Sequence, residues 1–491
     1  MSQTKAQLIG PLVADDISVT GTINFDSGTF KVDSTNDKVG IATGTSAPTK
    51  TLDVGGDTQI ADLYYTADYP TVRPTIDLAF DKVKKLDNRI TFRRESIGTI
   101  VNSDGYIETI GHNKPRFDYD PVTKESLGLL IEESRTNSVT YSENFNTWWI
   151  VGAIGSVTAN STTSPDGNNN GTLLVNTSPS PFTINNQTVY YGGQIYRSSF
   201  AGPATGVRTW SLFAKAKECD IISIIANTTG GSKQAYFDLL NGTVYFEPSD
   251  TTCRIESYPN GWYKCSVTWN QGSSVYYTYN IQVFSSTEIT GSDGIYIWGA
   301  QLEEGDFPTS YIPTSGSSVT RKADGAAFEG TNLTDWYNQT EGTWIVDTNK
   351  TQEIDGYYAA LFYMRPTINP DGTRNEFYKK NGSGNFSYRY GINDGTTTGS
   401  IDTTNAITSG DNTLFAYYKQ GDFGVGSNGT IDATDTDGSV QVSTNTDIYL
   451  ALGSTFDPSN GSSSEHWNGH FRRFTYYPYR LNNSQIANLT L

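Results

Sequence analysis

Residues 294–316, GIYIWGAQLEEGDFPTSYIPTSG, constrain this chain more than any other stretch. The run opens as an alternating strand, with Ile295 and Ile297 on one face and Tyr296 and Trp298 on the other. Gly299 breaks the alternation, and an acidic Glu303-Glu304-Gly305 turn followed by Pro308 and Pro313 leads away from the sheet. Such a run reads as the last strand of a β-sandwich and the strap that ties it off. Everything before it reads as the way in, and everything after it as a second module.

The remaining pattern is β-rich. Aromatic residues make up 13% of the chain, and 48 glycines supply turns between short strands. Asp104-Gly105 sits between SIGTIV and YIETI, Asn241-Gly242 follows Phe237-Asp238-Leu239, and Asn260-Gly261 precedes WYKCSV. These dipeptides favour the left-handed backbone that tight hairpins need. Strands at that spacing predict an antiparallel sandwich or jelly roll over residues 137–320. SPDGNNNGT, residues 164–172, reads as a loop of turn formers, and LGLLIEE, residues 127–133, as a short buried strand. After residue 321 a second set of strands begins with GTWIVDTN and continues through YYAALFYMR, RNEFYKKNG, NFSYRYGIND and TDIYLALGS. The expected fold class is therefore all-β, with two antiparallel jelly-roll sandwiches at 137–320 and 321–491 and a β-rich connector at 61–136. Residues 1–60 carry short polar strands with sparse apolar teeth (Ile17, Val19, Ile23, Phe25, Phe30, Val32, Val39, Ile41), too few to build a core alone. They predict one wall of an intertwined three-chain fibre, hence a homotrimer.

Charge and composition exclude several classes. Thirty-four basic against 52 acidic residues leave a net charge of −18, which argues against nucleic-acid binding because no basic patch displaces phosphate counterions. No run of about 18 apolar residues is present, so no membrane insertion is expected. MSQTKAQLIGPL lacks the apolar core of a secretory signal. Cys219, Cys253 and Cys265 are too few for a disulfide framework, and the odd count favours reduced thiols.

Several stretches resemble parts of bacteriophage tail proteins. The 294–316 segment is similar to the ending of a jelly-roll module in tail fibres. KVGIATGTSAPTKTLDVGG resembles a recurring fibre element, with Ala-Thr inserted before Gly44. MSQTKAQLIG is similar to the N-termini of cyanophage structural proteins, and RFDYDPVTKESLGLLIEESRTN to the segment preceding a first tail jelly roll. WYNQTEGTWIVD (336–347), residues 417–440 and the closing strand and short helix resemble concanavalin A-like lectin and glucanase domains, with Asn482 or Asn483 capping the helix ahead of Gln485. The resemblance spans roughly residues 70–491. It implies a virion component that docks to another virion protein through residues 1–60 and attaches to host surface polysaccharide. The alternatives are a glycan-depolymerising tailspike and a purely structural collar or capsid decoration.

Catalytic and metal constellations are incomplete. Glu353-Ile354-Asp355 begins the glucanase pattern, but Gly356, Tyr357 and Tyr358 follow and the third carboxylate is missing. Glu303 and Glu304 are adjacent and point apart, which suits a structural role. Asp432, Asp435 and Asp437 with Gly438 start a calcium-like loop, yet Val440, Gln441 and Val442 follow, so a hairpin turn is preferred. No cofactor is expected, with calcium left open. His112, His466 and His470 do not form a zinc set with nearby ligands. The chain is thus expected not to be an enzyme. For glycan binding, sugar C–H faces stack on rings while hydroxyls need amide and carboxylate partners. Tyr378, Tyr388 and Tyr390, with Asn375, Asp394 and Trp467, supply that mixture, though Phe386, Tyr388 and Tyr390 share one face and could equally fill a core.

Overall fold

The computed structural model describes strands at 22–25, 30–33, 38–41 and 52–54, and residues 73–491 apart from 147–148, 153, 177–178, 199–205, 229–230, 272–277, 350–358, 367–373, 383–384, 394–397, 404–410, 438–447, 460 and 462–463. The chain forms two compact units, Met1–Asp68 and Tyr69–Leu491. In the first, Thr22–Phe25, Phe30–Asp33 and Lys38–Ile41 pair antiparallel, and Leu52–Val54 runs parallel beside Lys38–Ile41.

Within the second unit, the first sandwich packs two antiparallel sheets. One has the order Ile150–Gly152, Gln187–Ser198, Thr278–Ser285, Ile221–Thr228, Gly231–Asp238, Thr243–Phe246. The other has the order Ile154–Thr162, Gly171–Asn176, Gly294–Glu304, Gly206–Ala216, Trp262–Gln271, Thr251–Tyr258. Their facing sides bury Trp210, Ile222, Ile224, Phe237, Val267, Ile281, Ile295 and Ile297. Period-two alternation explains the division: Ile295 and Ile297 enter this core, while Trp298 and the partly buried Tyr296 join Phe213, Trp262 and Tyr311 on the opposite face. The Gly294–Glu304 strand comes last in sequence, as expected, but lies in the middle of its sheet.

Within the connector expected at 61–136, the described strands from residue 76 onward form structural wall, residues 61–72 lying outside the described residues. Ser126–Ile131 and Ile76–Ala79 both pair with Gly469–Tyr477, Phe117–Tyr119 extends the same sheet, and Ile90–Arg93 pairs with Gly325–Glu329 in the opposing one. The second sandwich is therefore assembled from strands before and after the first. Trp344, Phe362, Phe377, Leu414, Leu450 and Phe474 share its core with Ile76, Leu78, Ile90, Leu129 and Ile131. The first sandwich enters and leaves through one short antiparallel ladder, Arg135–Asn137 against Val319–Arg321.

Buried ions hold that junction. Asp324, wholly buried, accepts from Arg94 Nη1 at 3.0 Å, from the Glu132 amide at 3.0 Å and from Arg116 Nη2. Glu132 meets Arg116 Nη1 at 2.7 Å and Arg321 Nη2 at 3.5 Å, and accepts from both the amide and hydroxyl of Ser310. Residues before, within and after the first sandwich thus converge on one desolvated cluster. Removing one partner would leave a buried charge uncompensated.

The Glu303-Glu304 doublet expected in a turn instead ends the Gly294–Glu304 strand, and the strap begins after it. Glu303 is fully buried and accepts from Gln301 Nε2 (2.8 Å), the Thr309 amide (3.1 Å) and the Thr309 hydroxyl, whereas Glu304 turns outward to Arg208 (2.8 Å). Adjacent carboxylates on one strand cannot flank one bond, and these two do not. The three glycine turns also form, with Gly105, Gly242 and Gly261 at φ of +87°, +65° and +76°. The cysteines are free thiols. The C-terminal helix Asn483–Thr490 is capped by Asn482, whose side chain accepts from the Gln485 amide while Gln485 reaches back to the Asn482 amide.

Candidate functional site

The side of the first sandwich's Gln187–Ser198 sheet that faces away from the core has an unusual composition. Because Ile195, Ile281, Ile222, Ile224 and Ala235 point inward, alternation sends Gln194, Tyr196, Asn280, Gln282, Ser223, Gln234 and Tyr236 outward. Cross-strand register aligns them: Gln194 lies opposite Gln282, which lies opposite Ser223, and Tyr196 lies opposite Asn280. None of these side chains carries a charge, although the whole chain carries −18.

The amides form a connected chain. Gln234 Nε2 donates to Gln282 Oε1 (2.9 Å) and Ser223 Oγ (3.2 Å), and Gln282 Nε2 donates to Gln194 Oε1 (2.9 Å). Asn280 Nδ2 donates to the same Gln194 oxygen (3.1 Å), and Asn227 Nδ2 donates to Asn280 Oδ1 (3.3 Å). Each link fixes a primary amide in the network; Gln194, Gln234 and Gln282 stay partly exposed, while Asn280 and Ser223 are buried. Tyr196 lies over Gly152, where a β-carbon would come within 3.1 Å of the ring.

At one end the amides give way to rings. Phe284 contacts Tyr191 and Tyr236, both at 5.2 Å between centroids, and Phe182 at 5.9 Å; Tyr236 in turn meets Phe246 at 6.0 Å. Phe182 and Phe246 remain 47% and 37% exposed. Tyr245 donates its hydroxyl to Gln187 (2.6 Å) beside them. Burial pushes the Tyr236 phenol up to about 12, so it stays a neutral donor at any ordinary pH. The arrangement can receive a ligand with alternating hydroxyl and C–H surfaces.

The residues expected from sequence to bind sugar are placed differently. Tyr388, Tyr390 and Trp467 are 3%, 1% and 3% exposed and belong to the second sandwich's core. Asn375 is buried on the same side and donates to the Tyr337 hydroxyl at 3.3 Å. Tyr378 sits on the opposite face of its strand, half-buried opposite Arg389, which pairs with Asp402. Asp394 lies outside the described residues, as do Glu353 and Asp355. The alternation that fills the core takes Asn375, Tyr388, Tyr390 and Trp467 inward together and leaves Tyr378 on the other face of the strand.

The amide face is hard to read from sequence because its members lie on several separate strands. A signal was present in TYNIQVFS, where Tyr279, Ile281 and Val283 alternate with Asn280 and Gln282. The histidines form no shared site either. His470 Nε2 meets Asp118 Oδ2 at 2.8 Å, while burial pushes His466 down to about 4. A cleft of about 460 Å³ lies between the two sandwiches, but its polar groups serve the protein: Asp118 accepts from the Val101 amide, Asp120 from those of Val122 and Thr123, and Lys264 donates to the Thr309 carbonyl.

No family model matches the chain, and no curated protein matches it. Among solved structures, it is similar to the CBM40 of the Ruminococcus gnavus IT-sialidase, solved alone and with α2,3-sialyllactose, at 17% identity and TM-score 0.28, covering 33% of this chain. The match spans 94% of the CBM40 chain solved alone. It is similar also to a heptameric SAP-like pentraxin of Limulus polyphemus (13%, TM-score 0.22, 30% of this chain and 68% of that one). A third is the mouse laminin α1 LG4-5 pair (10%, TM-score 0.20, 56% and 82%). Overlaps this low carry no argument about what the chain binds, which rests on its own surface.

Proposed function

We propose that this protein grips a neutral glycan, without cleaving it, through the amide and tyrosine face of its first sandwich, and that it serves as a virion tail fibre or spike attaching to host surface polysaccharide. The observation that carries the binding reading is the uncharged chain Gln234–Gln282–Gln194, flanked by Tyr196 and ending in partly exposed rings. Primary amides offer a donor and an acceptor together, matching vicinal hydroxyls, and rings accept the sugar's C–H face. The amide chain itself carries no ion to desolvate when the ligand arrives.

The virion assignment is supported by the sequence resemblance over residues 70–491 and by the fibre-like pattern of residues 1–60. A trimer would multiply single-site affinities of roughly millimolar strength into firm attachment. The test is retention of the full chain on immobilised neutral and charged polysaccharides, with its mass in solution measured in parallel. We expect retention on a neutral glycan and a weakening of about tenfold or more in Gln282→Ala and Tyr196→Ala, near 1.4 kcal/mol. Binding unchanged in both variants would reject the site, and shortened polysaccharide after incubation would favour the depolymerase alternative. A monomeric mass would reject the fibre reading.

A further inference from the structure

We propose, resting on the glycan-binding reading of this face, that the ligand lies across the strands with one sugar ring per strand. It is then the interior of an extended, linear, neutral chain and not a chain end.

Cross-strand register lays out the track. Gly152, Gln194, Gln282, Ser223, Tyr236 and Phe246 are successive partners, one from each of six neighbouring strands. Their row crosses the whole sheet, from the edge strand Ile150–Gly152 to the edge strand Thr243–Phe246. It grades from amide to ring. Gly152 has no side chain, and the Tyr196 ring lies over it. Gln194 and Gln282 follow, Gln234 leans onto buried Ser223 at 3.2 Å, and Tyr236 leads to Phe246, 37% exposed.

Spacing decides between the two directions a chain could take. Adjacent strands lie about 4.8 Å apart, whereas same-face positions along one strand recur every ~6.8 Å. An extended chain of equatorially linked pyranoses repeats close to the first spacing and well short of the second. Laid across the sheet, each ring meets the next side chain of the row; laid along a strand, it falls out of step. Composition agrees. The outward positions of Ile221–Thr228 are Ile221, Ser223, Ile225 and Asn227, so a chain along that strand would meet buried isoleucine at every second position.

The hydrogen bonds run the same way. Gln234 donates to Gln282 and Gln282 to Gln194, each link joining different strands. Gln194 Oε1 receives both Gln282 and Asn280, which turns its amide nitrogen away from them. Among the described residues, Gln194 Nε2 donates to nothing and Gln234 Oε1 accepts nothing. The row thus keeps a spare donor at one end and a spare acceptor towards the rings, matching ring oxygens and hydroxyls. Four strand spacings separate Gln194 from Phe246, about 19 Å, so about five sugars fill the row. Because both margins are edge strands, a longer chain can run off either side.

The test measures binding of the full chain to β1,4-linked gluco-, manno- and xylo-oligosaccharides of two to six residues by calorimetry. Affinity is expected to rise with each sugar and level off at about five, and to survive reduction of the six-residue ligand's end to the alditol. Phe246→Ala, at the far end of the row, is expected to weaken binding of the five-residue ligand about three- to tenfold. It should also bring the levelling point down to about three sugars. Should that variant fail to fold, the length series on the wild type still decides. Affinity that levels off at one or two sugars, or is abolished by reducing the end, overturns the proposal, as does absence of binding in every series. In those cases, loss of polysaccharide retention in Gln282→Ala would leave the glycan face standing, and unchanged retention would overturn both.

Discussion

At the scale of single residues, burial decides which polar groups respond to solution conditions. The His466 imidazole is pushed down to about 4 by burial, with Arg321 opposing protonation and Glu133 and Asp324 favouring it. The unfolded chain takes up this proton near pH 6.5 while the folded chain refuses it until about 4, so stability falls as pH drops through that window. The linked loss is on the order of 3 kcal/mol. We expect the unfolding midpoint to fall between pH 6.5 and 4, and His466→Asn to flatten that dependence; an unchanged slope would contradict it. Glu132 acts in a lower window. Burial alone would raise its pKa, but the guanidiniums of Arg321 and Arg116 outweigh burial and hold it well below the usual glutamate range. Its contribution is complete above that ordinary range and disappears only in stronger acid. The same scale explains the displaced sugar-binding residues. Tyr378 and Tyr390 are both tyrosines on paired strands, yet strand parity alone puts one half-buried outside and the other in the core.

At the scale of elements, local chemistry was readable and pairing was not. Asn-Gly and Asp-Gly dipeptides form the turns expected of them, because only residues tolerant of positive φ fit there. The Asn482–Gln485 capping box follows from residues three apart. Nothing local says that Ser126–Ile131 pairs with Gly469–Tyr477, more than 300 residues later. Gly128 shows how tight that pairing is: its φ is +94°, and a β-carbon there would collide with the Phe471 carbonyl. Gly128→Ala is therefore expected to cost about 2–4 kcal/mol and to destabilise the second sandwich, although residue 128 precedes the first. Hydrogen exchange localised to residues 341–349 and 469–477 would show it. Exchange accelerated only in the first sandwich would contradict this interleaving.

At the scale of the molecule, interleaving predicts how the chain can be cut. A fragment of residues 321–491 lacks Ile76–Ala79, Ile90–Arg93, Phe117–Tyr119 and Ser126–Ile131, leaving open sheet edges and an uncovered core; it is expected to aggregate or stay unfolded. Replacing residues 138–318 by Asn-Gly should be tolerated better, because Asn137 and Val319 are already antiparallel partners. That variant is expected to unfold cooperatively at a lower midpoint, having lost the Ser310 bonds to Glu132. A stable 321–491 fragment beside an unfolded deletion variant would reverse the conclusion. The sequence by itself determined the all-β class, the glycine turns and the helix cap, since each depends on residues a few positions apart. Only the tertiary structure decided which strands share a sheet, which face of each is buried, and that five amides from four strands meet on one surface. Those outcomes depend on contacts between distant segments, and in a strand a shift of one residue exchanges inside for outside.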